Sequence, residues 1–460
     1  MLKNKTRDII IFSSLFMLSS SMVFAQRNIS INEVLSIPDA AITSLENSDD
    51  YHYLKGIMAS FDPQHTYNAK NSYRSKNLAY FGDWDSNRIF IFDVDTMELI
   101  KTIENTGDGP YGIDQQGFSK SYALTRKVSS MTVIKNSTLT NIGEIQLTHK
   151  PRSTDYNKKT GLTLVSAADK AMTSIIRVAN DKVIKIIGKN AATQPHDYGG
   201  SLSTGHPLWL NKNKFFMTDR AARTIELWSK KGKLLSTLNT PTSVHHIFQP
   251  ENIKRRAKNV YFAVFEGNRD EGISPGLIKF VVNQKKIKQK KIVYLNSFDD
   301  TLDVSVMGSH HANFHPDGIH IYVGSAEGHL FVINKKTMKI EKMIETGKGN
   351  GHSTFIPGRN IAITTNHNST YMSVINTIDH TLLFNLEVAS SASNDFKSQS
   401  HTSGVSINSK YFYSAASHDG VFFRVNLDTW DIIKTYVGGN ILMGSFVWGG
   451  DTLKLFHPHH

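Results

Sequence analysis

Short apolar runs separated by polar turns dominate the chain from about Asn77 onward, and they recur in a fixed order. Leu78 to Tyr80 leads to Arg88-Ile-Phe-Ile-Phe-Asp-Val94 and then to the amphipathic Glu98-Leu-Ile-Lys-Thr-Ile103. The last pair returns as His329-Leu-Phe-Val-Ile-Asn334 with Lys339-Ile-Glu-Lys-Met-Ile344, and again as Val421-Phe-Phe-Arg-Val425 with Asp431-Ile-Ile-Lys-Thr-Tyr436. Further copies begin near Pro110, Lys150, His206, His246, His311, His352 and His401. Four strands repeated at about 40 residues are the mark of an all-β β-propeller. Counting copies predicts eight four-stranded blades over 77–456, or seven if Pro110 to Leu147 or Lys150 to Gly188 is not a unit of its own. Ile441 to Phe456 reads as the opening of another copy, while the first copy has a doubtful inner strand. A C-terminal strand that completes the first blade removes both deficits and leaves no open sheet edge.

Residues 1–25 read as a secretory signal: Lys3, Lys5 and Arg7, an apolar stretch from Ile9 to Val23, and the small-residue site Val23-Phe24-Ala25 before Gln26. Residues 26–76 show no repeat and are expected to form a cap, and 457–460 to form a histidine-containing tail. No later stretch is long or apolar enough to span a bilayer. The expected location is the periplasm. Of the 460 residues, none is cysteine and 20 are histidine. The first count removes covalent haem attachment, thiolate clusters and thiol nucleophiles, and the second makes imidazole the natural metal donor. The formal net charge of +12 suits small anions or an acidic partner. For an exported chain, nucleic acid is not an expected partner.

In a propeller the innermost strands start beside the central channel, so their first residues ring one axis. Here they read Gly205-His206, His245-His246, His310-His311, Gly351-His352 and Ser400-His401, five consecutive units with imidazole. The others read Pro110-Tyr111, His149-Lys150 with Arg152, and Leu442-Met443. Turns between second and third strands share that face and carry Asp85, Asp169, Asp219, Glu266 with Asp270, Glu327, His367, and His418 with Asp419. Carboxylates beside imidazoles act as metal ligands or fix histidine tautomers. The candidate ligands are therefore His206, His245, His246, His310, His311, His352, His367, His401 and His418. Lys150, Arg152, Glu266 and Asp270 are the candidate catalytic side chains. The competing explanation is a scaffold: in WD-type propellers a Gly-His pair bonds an Asp in that turn, as His206 with Asp219 would. Against it stand the doubled histidines and the missing Trp-Asp pairs. His315, His320 and His380 fall at turns on the far face and read as surface residues.

Ser309 to Gly318, followed by Tyr322-Val323 and Val332-Ile333-Asn334, resembles the exported propellers of the YVTN type. Axial histidines resemble the catalytic domains of nitrous-oxide reductase and the copper-dependent thiocyanate dehydrogenase. That resemblance implies a copper centre held by His206, His246, His311, His352 and His401, with Lys150 or Arg152 facing a small anionic substrate. The chain departs from it in having no cysteine-based copper domain, so electrons would pass through a separate periplasmic carrier protein. Imidazole without thiolate suits copper or zinc, and more than four convergent histidines exceed what one zinc requires. Three functions follow: a copper oxidoreductase acting on a small inorganic molecule, a copper or zinc metallochaperone without turnover, and a metal-free interaction scaffold. Non-covalent haem d1 is a fourth arrangement, but it would employ one or two of the histidines rather than five.

Overall fold

A computed structural model describes residues 76–116, 119–189, 204–249, 259–309, 311–406, 408–447 and 453–454, all within the compact unit Tyr67–His460. The proposed signal, the cap up to residue 75, His310 and the tail lie outside the described residues. The chain forms eight antiparallel sheets, and the two weakest repeats are blades of their own. Blades 2 to 8 begin with the inner strands Pro110–Gln116, Pro151–Asn157, Leu208–Asn211, Val244–Phe248, Ala312–Phe314, Asn350–Phe355 and Gly404–Ser406. Each continues outward through three successive strands. Blade 1 takes Leu78–Asp83, Arg88–Asp93 and Leu99–Ile103 from the front of the chain and its innermost strand, Ile441–Val447, from the back. The register runs antiparallel from Leu78 opposite Val447 to Asp83 opposite Ile441. The two-residue strand Leu453–Lys454 adds a fifth member inside blade 8.

The sequence pattern follows from this stacking. Side chains alternate across a strand, so a central strand packed between two blades is apolar on both faces. In Leu78–Asp83, Leu78 and Tyr80 join a core with Ile113 and Ile134 of blade 2, whereas Ala79 and Phe81 join one with Tyr413 and Phe422 of blade 8. The outer strands carry one exposed face and therefore read as amphipathic, as in Leu99–Ile103. Every pair of neighbouring blades encloses one such core, including blades 8 and 1. Among the described residues no helix is long and apolar enough to cross a membrane.

Candidate functional site

Local backbone irregularity aims the first residues of the inner strands. Neighbours on a regular strand point to opposite faces, but a bulge breaks that alternation and re-aims a side chain. The register shifts between Val244 and His246, between Asn350 and Ser353, between Pro110 and Gly112, and between Pro151 and Thr154. These four irregularities bracket His245, His352, Tyr111 and Arg152. Close backbone approach does the rest: the His206 amide donates to the His245 carbonyl at 2.9 Å, and a Cβ on Gly205 would lie 2.3 Å from that oxygen.

The result is a buried group of imidazoles from blades 4 to 8. Ring centroids lie 5.0 Å apart for His206 and His245, 5.6 Å for His206 and His246, and 5.0 Å for His245 and His311. His311 packs 3.7 Å from His352 and 5.3 Å from His401, and His367 stacks on His401 at 3.8 Å. The Nε2 atoms of His206 and His245 are 3.2 Å apart. His367 donates its Nδ1–H to the Gln399 carbonyl at 3.0 Å, which makes Nε2 the unprotonated nitrogen. Burial first, then the nearby Lys397 charge, pushes its pKa down to about 3, so the ring is neutral at pH 7.

Cations and a phenol border the imidazoles. Arg152 Nη2 lies 3.1 Å from His245 Nδ1, and Lys397 Nζ lies 3.3 Å from both nitrogens of His401. Lys397 also donates to the Tyr111 hydroxyl at 3.0 Å, while Arg126 stacks 3.5 Å above the Tyr111 ring and donates to the Arg152 carbonyl at 2.8 Å. Glu266 is fully buried and paired with the equally buried Arg220 at 2.5 Å, and its second oxygen lies 3.0 Å from His245 Nδ1. Asp114 accepts from the Thr154 amide and hydroxyl at 2.9 Å, and burial pushes its pKa up to about 6 despite those bonds.

Several of the sequence candidates sit elsewhere. His418 is exposed and stacks on Phe396 at 3.7 Å, away from the imidazoles, because its turn lies beside the loop that precedes His401. Asp270 is exposed in a wide turn. Lys150 is half-buried, its amide donating to Asp169 at 2.9 Å, and among the described residues its ammonium makes no hydrogen bond to the imidazoles. The scaffold pairing expected of His206 is not what positions it: His206 faces His245, and Asp219 caps its own turn through the Ala222 amide. His149 does behave as scaffold, fully buried and bonded to the Ser174 hydroxyl at 2.9 Å. Lys397, Arg126 and Arg220 were not among the sequence candidates. Arg126 and Arg220 directly follow the second strands Lys120–Thr125 and Lys214–Asp219, the position that Glu266 and His367 hold in their blades, so the repeat could have marked them, whereas Lys397 belongs to the loop inserted before blade 8.

A second cluster lies at the other end of the blade 6 inner strand. His315, Asp317 and His320 form, among the described residues, the group of three donors already within 4.8 Å of one another. His315 is only 7% exposed, so its reading as a surface residue is corrected.

No family model matches the chain, and no curated protein matches it. Among solved structures it is similar to the dihydro-haem d1 dehydrogenase NirN in complex with DHE, with TM-score 0.59 and 11% identity over 82% of this chain and 76% of that one. It is also similar to apo AztD from Citrobacter koseri, with TM-score 0.56 and 11% identity over 82% of this chain and 98% of the other. The computationally designed Ika8 protein gives TM-score 0.51 and 11% identity over 80% and 98%. At such identity the likeness is one of fold, an eight-bladed β-propeller. The likeness to YVTN-type propellers and to thiocyanate dehydrogenase rests on the quoted residues alone.

Proposed function

We propose that this protein is a periplasmic metalloprotein whose central imidazoles hold a transition-metal centre, copper in preference to zinc, and that a small inorganic anion reacts beside it. The observation that carries this reading is the packing of His206, His245, His246, His311, His352, His367 and His401 against one another with Arg152 and Lys397 at hydrogen-bonding distance from two of them. The donors fit a metal. Two imidazole nitrogens held about 2.0–2.1 Å from a tetrahedral ion stand roughly 3.3 Å apart, and the Nε2 atoms of His206 and His245 stand 3.2 Å apart. Bound there, copper would supply one-electron redox chemistry and polarise the substrate.

The rest is done by the chain. Gln399 fixes the His367 tautomer, and Glu266, clamped by Arg220, orients His245. Arg152, Lys397 and Arg126 present positive charge where a lone cation would be repelled and where an anion offsets that repulsion. That charge favours a centre with an anionic substrate over a simple carrier of metal ions. Electrons leave or arrive through a separate carrier protein.

Elemental analysis of the exported protein from copper- and zinc-supplemented cultures tests this, beside a His311→Ala, His352→Ala variant. More than one copper per chain, lost in the variant, is the expected result. A metal-free wild type, or the same metal content in both, overturns it. A single exchangeable zinc that is lost in the variant would support the carrier instead.

A further inference from the structure

We propose that His315, Asp317 and His320 form a second, exchangeable divalent-metal site of the zinc class, separate from the central imidazoles and on the opposite face of the ring. His311 and His315 bracket the inner strand Ala312–Phe314 of blade 6. At about 3.3 Å per residue the strand keeps the two groups about 13 Å apart.

In this cluster one carboxylate oxygen faces the Nδ1 atoms of two imidazoles. The Nε2 of His315 lies 3.0 Å from the Thr377 carbonyl, which can only accept, so Nε2 carries the proton and the neutral ring has its lone pair on Nδ1. That Nδ1 accepts the Asp317 amide at 3.1 Å. The same nitrogen also faces a carboxylate oxygen of Asp317 at 3.0 Å, an acceptor against an acceptor. The oxygen is Oδ2, and it lies 2.5 Å from Nδ1 of His320 as well. Two imidazole nitrogens and a carboxylate thus converge on one point, where a metal ion would take the place of a proton.

The surroundings are those of a ligand set. On its far side His320 presents Nε2 to Glu341 at 2.8 Å, the carboxylate–histidine arrangement that orients metal-bound imidazoles and leaves Nδ1 to the ion. His380, from a turn of blade 7, brings a third ring to 4.8 Å from His320 and 5.3 Å from His315, with its Nδ1 bonded to the Tyr322 hydroxyl at 2.7 Å. Asp317 and Glu341 side chains are 28% and 44% exposed, so an ion reaches the site from solvent. Two histidines and one carboxylate with an open fourth position suit zinc, and the oxygen–nitrogen separations of 3.0 and 2.5 Å would open by about 0.3 and about 0.8 Å to reach the tetrahedral spacing of about 3.3 Å.

The test is a zinc titration of the metal-stripped, full-length protein, counting equivalents for wild type, His320→Gln, Asp317→Asn, and His311→Ala with His352→Ala. His320→Gln leaves the turn bonds from Asp317 to the Ile319 and His320 amides in place. The expected outcome is one equivalent fewer in either outer variant, with an unchanged melting temperature, and retention of that equivalent when the central pair is removed. Cobalt substitution should give a tetrahedral visible spectrum that follows the same pattern. An outer variant that melts like wild type and binds as much zinc overturns the proposal. Because the central variant is counted separately, failure of one site is distinguishable from failure of the other.

Discussion

Tyr111 shows how the cations act at the scale of one residue. Burial alone would push its phenol up, but Lys397, Arg126 and Arg152 outweigh burial and bring it down to about 8. Positive neighbours favour the phenolate, so the hydroxyl is mostly protonated below about pH 8 and mostly ionised above it. Ultraviolet difference titration should therefore show a tyrosine ionising near pH 8, and Tyr111→Phe should remove that step. Lys397→Met should move it upward. An unchanged titration in both variants would mean the cations do not face the phenol. Glu266 illustrates the complementary case, a charge fully inside the protein that is tolerated because Arg220 grips both oxygens at 2.7 and 2.5 Å. Removing one partner of a buried pair costs about 3–5 kcal/mol. Arg220→Met should lower stability by that order in chemical denaturation, and His245 should lose its fixed orientation with it.

At the scale of elements, the strands were legible and the aim of their side chains was not. Strand alternation and recurring turns expose the blades even where single repeats are weak, as in Pro110 to Leu147. Yet alternation alone would send His245 and His246 to opposite faces. Both belong to the central group only because the ladder slips between Val244 and His246, and a bulge has no reliable sequence mark. The same holds at Tyr111 and Arg152. His367 was legible because it replaces the acid of its turn; His418 lies in the matching turn of the next blade, one residue further on, and is drawn onto Phe396 of the loop inserted before blade 8. Gly351 gives the element-scale prediction. A Cβ there would lie 2.5 Å from His367 Nε2, so the ring cannot keep its stack on His401. Gly351→Ala should cost about 1–3 kcal/mol through overpacking and reduce central metal retention without touching the His315 site. Unaltered melting and metal content would show that the His367 ring has room to move.

For the whole molecule, closure is the step on which the central group depends, because imidazoles from five blades meet only if the ring returns to its start. The interface between blades 8 and 1 is as apolar as any other: Phe422 stacks on Phe92 at 4.7 Å, with Phe81 and Phe446 packed beside them. Ile441–Val447 completes blade 1 from within, covering Leu78–Asp83, a strand buried at every position. Without it, that strand becomes an exposed apolar edge, a template for pairing with another chain. A chain ending at residue 447 keeps the closing strand and should fold and melt cooperatively. One ending at Gly439 loses it, along with the Asn440 amide bond to Asp83, and should aggregate or melt in a broad, less cooperative transition. Size-exclusion chromatography and calorimetry of the two truncations decide the matter. If the shorter chain stays monomeric and retains central metal, blade 1 is closed by its outer strands alone and the site does not depend on the C-terminal strand.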